Sequence, residues 1–65
     1  MDIKINNHME SLPERLSITD LLALKGIRLN SSVWVNGRQL LIREYDHYEL
    51  QENDDVKIVR ILGGG

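Results

Sequence analysis

The apolar run of residues 56–62 constrains the fold more than any other stretch, because it leads directly into glycines at positions 63–65. Val56 and Ile58 alternate with Lys57, which is the period-two pattern of a strand buried on one face. Glycine has no Cβ and samples φ of either sign, so a glycine tail has no preferred fold of its own. The run therefore predicts a final strand that ends in a thin segment tipped with a carboxylate.

Size and cysteine content limit how such a chain can be stabilised. The 65 residues lie near the lower limit for a self-sufficient core. With no cysteine, neither disulfides nor a zinc–cysteine cluster can supply stability, and with no phenylalanine the core must consist of Ile, Leu and Val. We predict one domain, residues 1–62, followed by a flexible Gly-Gly-Gly tail, residues 63–65.

Charge and hydropathy restrict the expected partners. A net charge of −2 argues against binding to nucleic acid or to an anionic membrane. No apolar run approaches transmembrane length, and the first residues do not form a signal peptide. We therefore expect a cytoplasmic protein that is monomeric when free.

The amino-terminal part predicts a hairpin. Ile3 and Ile5 alternate with polar residues, as in a half-buried strand. Asn6 and Asn7 suit a hairpin turn, because Asn tolerates positive φ. A second strand is expected over residues 8–12.

A short helix follows the predicted hairpin. Ser17 has the features of an N-cap, and Asp20 three residues later completes a weak capping box. Gly26 suits the position just beyond the helix, which is expected over residues 18–25. One helix covers only one face of a sheet, so the other face meets solvent or a partner.

The second half predicts more strands. Residues 33–35 form an apolar run, and Asn36-Gly37 is the strongest hairpin signal in the chain. A returning strand is expected over residues 38–41. The remaining segments before the last strand are an irregular or single 3₁₀ turn, a short edge strand and a solvent-exposed turn, over residues 42–46, 48–50 and 51–54.

These elements predict an α+β protein with a β-grasp plan. The mixed sheet has four or five strands, one main helix, and a central parallel pair formed by the first and last strands. The predicted core residues are Ile3, Ile5, Leu21, Leu22, Val33, Val35, Leu40, Leu50, Val56 and Ile58.

Over essentially all of its length the chain resembles the ubiquitin-like sulfur carriers of the ThiS and MoaD type. The segments that carry the likeness are Ile-Thr-Asp-Leu-Leu (18–22), Val-Trp-Val-Asn-Gly (33–37), Arg-Glu-Tyr (43–45) and the final eleven residues (55–65). The Val-x-Val-Asn and Arg-Glu-Tyr pieces and the small size resemble the thiamine-pathway branch (ThiS) most closely. Two departures are Ile42, where the family commonly has Pro, and Asp54-Asp55, where it commonly has Gly-Asp. Because Asp tolerates left-handed backbone, the turn is expected to survive.

The resemblance implies a reaction cycle on Gly65. A ThiF- or MoeB-like adenylyltransferase uses ATP to convert the Gly65 carboxylate to an acyl-adenylate. A persulfide donor such as a cysteine desulfurase then supplies sulfur, and a ThiG-like thiazole synthase consumes the resulting thiocarboxylate. The carrier itself is expected to bind no cofactor and to catalyse nothing.

The resemblance also suggests which residues meet the partners. Gly63 and Gly64 would enter the partner's active site with Gly65. The expected docking residues are Trp34, Val59, Ile61 and Leu62. From composition alone, the favoured interpretation of Trp34 is a half-buried strand aromatic that shields the open face of the sheet, and it is the resemblance that favours docking.

Other polar residues are expected to have ordinary surface roles. His8 and His47 have no ligand partners at metal-binding spacing, and Glu52, Asp54 and Asp55 are expected in a solvated turn rather than a cation site. Arg43 and Glu44 are expected to form structural hydrogen bonds in the connector.

Three alternative functions stay open at this point. The chain could be a ubiquitin-like modifier that is joined to lysine through Gly65, a molybdopterin-type carrier, or an interaction domain with an incidental glycine tail.

Overall fold

The computed structural model describes residues 1–60, in which five strands, one α-helix and one 3₁₀ turn follow one another. In chain order the elements are β1 (Asp2–Ile5), β2 (His8–Ser11), α1 (Ile18–Leu24), β3 (Ser32–Val35), β4 (Arg38–Gln39), the 3₁₀ turn (Ile42–Glu44) and β5 (Asp55–Val59). Within this described part, no helix is both long and apolar enough to cross a membrane.

The strands form one mixed sheet in the order β2-β1-β5-β3-β4. β1 and β5 are parallel, with Lys4 opposite Asp55 and Ile5 opposite Val56. β5 is antiparallel to β3 on its other flank, and β1–β2 and β3–β4 are antiparallel hairpins. The last strand therefore lies at the centre of the sheet, and the predicted β-grasp plan is confirmed.

Both hairpins turn through residues with positive φ. Asn6 and Asn7 have φ values of 48° and 72°, and Asn36 and Gly37 have 52° and 86°. Positive φ at both central residues is the requirement of a type I′ turn, which matches the twist of the strands on either side. Both turn predictions are confirmed.

The helix begins at the predicted capping box. The Asp20 amide donates to Ser17 Oγ at 3.0 Å, and the Ser17 amide donates to Asp20 Oδ2 at 3.3 Å. The helix ends one residue earlier than predicted, with Lys25 as its C-cap and Gly26 at φ 68° beyond it. Lys25 Nζ lies 2.8 Å from the Glu10 carboxylate, which ties the end of the helix to β2.

The core lies between the helix and one face of the sheet. All ten predicted core residues are buried, together with five that the sequence analysis omitted: Leu12, Leu16, Ile18, Ile27 and Tyr45. Tyr45 corrects the expectation of a purely aliphatic core. Its hydroxyl donates to the Ser31 carbonyl at 2.7 Å, which allows the polar end of the ring to be buried. Burial raises the pKa of the Tyr45 phenol above its usual 10.0.

Two predictions for the segment before β5 were wrong. Residues 48–50 do not form an edge strand; Glu49 makes a single antiparallel bridge to Ser17, because this segment runs beside the loop that enters the helix. The turn at 51–54 is not fully solvated either, since Asp54 is buried and accepts hydrogen bonds from the Gln51 amide and from Asn36 Nδ2. The left-handed residue there is Asn53, at φ 69°, and not an aspartate.

Candidate docking surface and tail root

The face of the sheet opposite the helix carries a shallow depression of about 390 Å³. It is lined by Trp34, Gly37, Asp55, Lys57 and Val59, and we call it the Trp34 groove. Trp34 lies directly opposite Lys57 in the antiparallel pairing of β3 with β5. Alternate residues of these strands point into the core, so period-two geometry places the groove residues on the open face.

The two described docking candidates lie in this groove. Val59 is 53% exposed, which is high for a valine on a central strand, whereas Trp34 is half-buried. Half-burial suits a docking residue and also an aromatic that shields the sheet, so the docking function of both residues stays a prediction. Ile61, Leu62 and the glycines Gly63, Gly64 and Gly65 lie outside the described residues.

Polar groups interrupt the apolar surface of the groove. Lys57 Nζ donates to Asn7 Oδ1 at 3.1 Å, which holds this side chain toward the β1–β2 turn. Asp55 Oδ1 is buried and has no hydrogen-bond partner among residues 1–60. Buried acceptors are nearly always paired in folded proteins. The groove therefore combines apolar contact area with one unmet acceptor and one cation.

The last strand is also held by two asparagine side chains, which the sequence analysis treated only as turn residues. Asn6 makes two hydrogen bonds to the Ile58 backbone, near the end of β5. Asn36 bonds to the Asp55 amide and the Asp54 carboxylate, where β5 begins. The sequence carried one signal for these contacts, because each of the two hairpins that flank β5 has Asn at the first position of its turn.

Three other polar residues that the sequence analysis considered, His8, His47 and Glu44, lie outside the Trp34 groove. His8 and His47 are exposed, and among residues 1–60 no three His, Asp or Glu side chains are grouped to hold a metal ion. Glu44 accepts from the Leu41 amide at 2.8 Å and from Arg38 at 3.4 Å, as predicted for the connector. The Leu41 hydrogen bond lowers the pKa of the Glu44 carboxyl from its usual 4.5, and Arg38 and Arg43 add electrostatic attraction.

Comparisons with known proteins show which solved structures this fold is similar to. No family model and no curated protein matches the sequence. The crystal structure of the thiamine biosynthesis protein ThiS from Geobacter metallireducens matches with a TM-score of 0.84 and 25% identity over the whole of both chains. The solution structure of a thiamine biosynthesis protein from the same organism matches equally well and covers all of this chain and 88% of that one. These matches confirm that the chain resembles, over its full length, the ubiquitin-like carriers of the ThiS and MoaD type.

Proposed function

We propose that this protein is a sulfur carrier of thiamine biosynthesis whose reactive group is the Gly65 carboxylate. The observation that carries the proposal is the full-length structural match to ThiS, at a TM-score of 0.84 and 25% identity. The position of β5 supports it, because the central strand of the sheet leads toward the glycines.

The proposed cycle converts the Gly65 carboxylate to a thiocarboxylate in three steps. A partner adenylyltransferase transfers AMP from ATP to the Gly65 carboxylate, and pyrophosphate leaves. The terminal sulfur of a persulfide then attacks the carbonyl carbon, AMP leaves, and a thiol reduces the resulting sulfur–sulfur bond to release the thiocarboxylate. The chain has no cysteine, so its partners supply every thiol in this sequence.

Glycine suits the reacting position for steric reasons. A residue without a side chain leaves the approach to the carbonyl carbon open and lets the backbone lie close to the partner's own backbone. Both the adenylylation and the sulfur transfer need the reacting atoms in near-attack geometry. In this cycle the protein is a co-substrate that works in the cytoplasm with an adenylyltransferase and a thiazole synthase, and the catalytic groups belong to those enzymes.

The Trp34 groove is the proposed docking surface for these enzymes. It lies on the open face of the sheet and includes Val59, the last residue of β5. A partner that covers the groove would therefore also contact the strand from which the tail emerges. This proximity favours docking over shielding as the function of Trp34 and Val59, and we include Ile61 and Leu62 in the same surface.

The test is conversion of the terminal carboxylate. Incubation with a ThiF-type adenylyltransferase, ATP and a persulfide donor should exchange one oxygen of Gly65 for sulfur, as seen by intact-mass spectrometry. Deletion of Gly65 moves the reacting carbon back by roughly 3.5 Å, which near-attack geometry does not tolerate. One alanine added after Gly65 should be equally harmful, because the reactive carbonyl then lies inside an amide.

The outcomes separate the candidate functions. If the Gly65 deletion is sulfurated as readily as the parent, the carrier function is wrong. Thiol-resistant conjugates to lysine would instead identify a ubiquitin-like modifier. Absence of any adenylylation would leave a plain interaction domain.

A further inference from the structure

β5 continues beyond the end of its parallel neighbour. β1 ends at Ile5, which lies opposite Val56, whereas β5 runs on to Val59. Among the described residues, no strand lies beside residues 57–59 on this flank of β5. The backbone groups that face this flank therefore need another hydrogen-bond partner.

Ile58 turns both of its backbone groups toward this flank. On the opposite flank, Ile58 lies opposite Val33 of β3. The Val33 carbonyl does not accept from Ile58, because it points toward β4 and accepts from the Leu40 amide at 2.9 Å. Residue pairs in antiparallel strands alternate between bonded and non-bonded. Ile58 and Val33 form a non-bonded pair, so the Ile58 N–H and C=O point away from β3.

The side chain of Asn6 satisfies both groups. The Ile58 amide donates to Asn6 Oδ1 at 2.8 Å, and Asn6 Nδ2 donates to the Ile58 carbonyl at 3.2 Å. The Asn6 backbone amide donates to the Val56 carbonyl at 2.9 Å. The carboxamide therefore takes the place of the next peptide unit of β1, while the left-handed backbone at Asn6 carries the chain into the turn.

We propose that Asn6 is a positioning residue for the activation of Gly65, an inference that rests on the proposed function. Its carboxamide fixes Ile58, so that the last residues of β5 keep a defined place relative to the Trp34 groove. Without the Asn6 carboxamide, the last hydrogen bond on this flank of β5 is the one to the Val56 carbonyl. The part of the chain that has no hydrogen bond on this flank then begins two residues earlier, which lengthens it by roughly 7 Å. Val59, part of the groove, lies in this segment and would then be held only from the other flank, through its pairing with Ser32 of β3.

This chain contains a matched control for the proposal. Asn36 occupies the same first position of the other hairpin, with φ 52° against 48° for Asn6. Its carboxamide also makes two hydrogen bonds, to the Asp55 amide at 2.9 Å and to Asp54 Oδ1 at 3.0 Å. These bonds hold the beginning of β5, far along the strand from its exit. Loss of either side chain should weaken the sheet, but only loss of Asn6 should disturb the exit of the tail.

The first measurement is independent of activity. In the full-length protein, Asn6→Gly removes the carboxamide and suits positive φ, and amide hydrogen exchange should become faster at Ile58, whose amide loses its acceptor. Asn6→Asp keeps the acceptor for the Ile58 amide but loses the donor to its carbonyl, so it should give a smaller increase. Asn36→Gly should speed exchange at Asp55 and leave Ile58 close to the parent.

The second measurement is pyrophosphate release by a ThiF-type adenylyltransferase, at a temperature at which circular dichroism shows every variant folded. Asn6→Gly should lower kcat about tenfold and change KM by no more than about twofold, because docking persists while the carboxylate is misplaced. Asn6→Asp should fall between this variant and the parent. Asn36→Gly should keep the parent kcat.

The results decide the proposal in each case. Faster exchange at Ile58 with an unchanged kcat would overturn the positioning function and leave the carrier function intact. Equal kcat losses in Asn6→Gly and Asn36→Gly would show that both effects come from a general loss of stability. This result would also overturn the positioning function. If the parent protein is not adenylylated, the proposed carrier function fails, and the positioning inference fails with it.

Discussion

The two faces of the sheet are built from the same strands but differ in how far their side chains are buried. On the covered face, Ile3, Val33 and Val56 are completely buried beneath the helix layer. On the open face, Trp34 is half-buried and Val59 is 53% exposed. Alternate residues of one strand therefore belong to different environments, which separates the side chains that stabilise the fold from those available to a partner.

Two adjacent residues of β5 give the largest expected contrast. Ile58 is 7% exposed and faces the core, whereas its neighbour Val59 lies on the open face. Ile58→Ala should cost about 2–5 kcal/mol of unfolding free energy, through lost burial and the cavity it leaves. Val59→Ala should change it by less than about 0.5 kcal/mol, since surface substitutions usually have small effects. Urea denaturation of both variants measures the difference, and equal costs would contradict the division of the sheet into two functional faces.

The next largest effect is expected in the Trp34 groove. Trp34→Arg should weaken binding to the adenylyltransferase or the synthase by about 2 kcal/mol or more, because interface tryptophans often dominate binding energy. Thermal unfolding should stay nearly unchanged. Gln39→Arg is the control, since Gln39 is exposed, lies directly opposite Trp34 on β4 and receives the same new charge.

The same pair of variants tests the alternative role of Trp34. If Trp34→Arg unfolds the domain while Gln39→Arg does not, the indole shields the sheet and the docking surface loses its principal residue. Normal binding by a stably folded Trp34→Arg protein would remove the groove from the proposed interface.

Local chemistry explains why most of the fold could be predicted from the sequence. Turn type, capping and strand alternation depend on residues close together in the chain, such as Asn36-Gly37 or Ser17 with Asp20. The alternation also placed Trp34 on the open face, because its two valine neighbours had to face the core. These features required no knowledge of distant contacts.

The features that were missed depend on distant partners. Tyr45 was left out because the core was expected to consist of Ile, Leu and Val. Its burial depends on a hydrogen bond to the Ser31 carbonyl, 14 residues away in the chain, which forms only on folding. The contact of Asn6 with Ile58 joins residues 52 positions apart. The buried Asp54 carboxylate accepts from the nearby Gln51 amide and also from the side chain of Asn36, which comes from the neighbouring hairpin. Patterns along the chain carry no information about such pairings.

The smallest expected effect concerns Glu44, which lies in the connector and belongs to neither face of the sheet. The Leu41 amide donates to its carboxylate at 2.8 Å and lowers its pKa from the usual 4.5, with further contributions from Arg38 and Arg43. A carboxyl group whose pKa is lower in the folded state stabilises that state above its unfolded pKa. This stabilisation should be lost as the pH falls below about 4.5 and through the lower folded value.

Glu44→Gln should therefore reduce the fall in stability below this pH and leave binding through the Trp34 groove unchanged. Urea midpoints measured from neutral pH into the acid range give the slope for parent and variant. Glu49→Gln makes the same chemical change on an exposed side chain of the following segment and should leave the slope closer to that of the parent. A change in partner binding by Glu44→Gln would show that recognition extends past the open face into the connector. The proposed interface would then have to include the connector as well as the Trp34 groove.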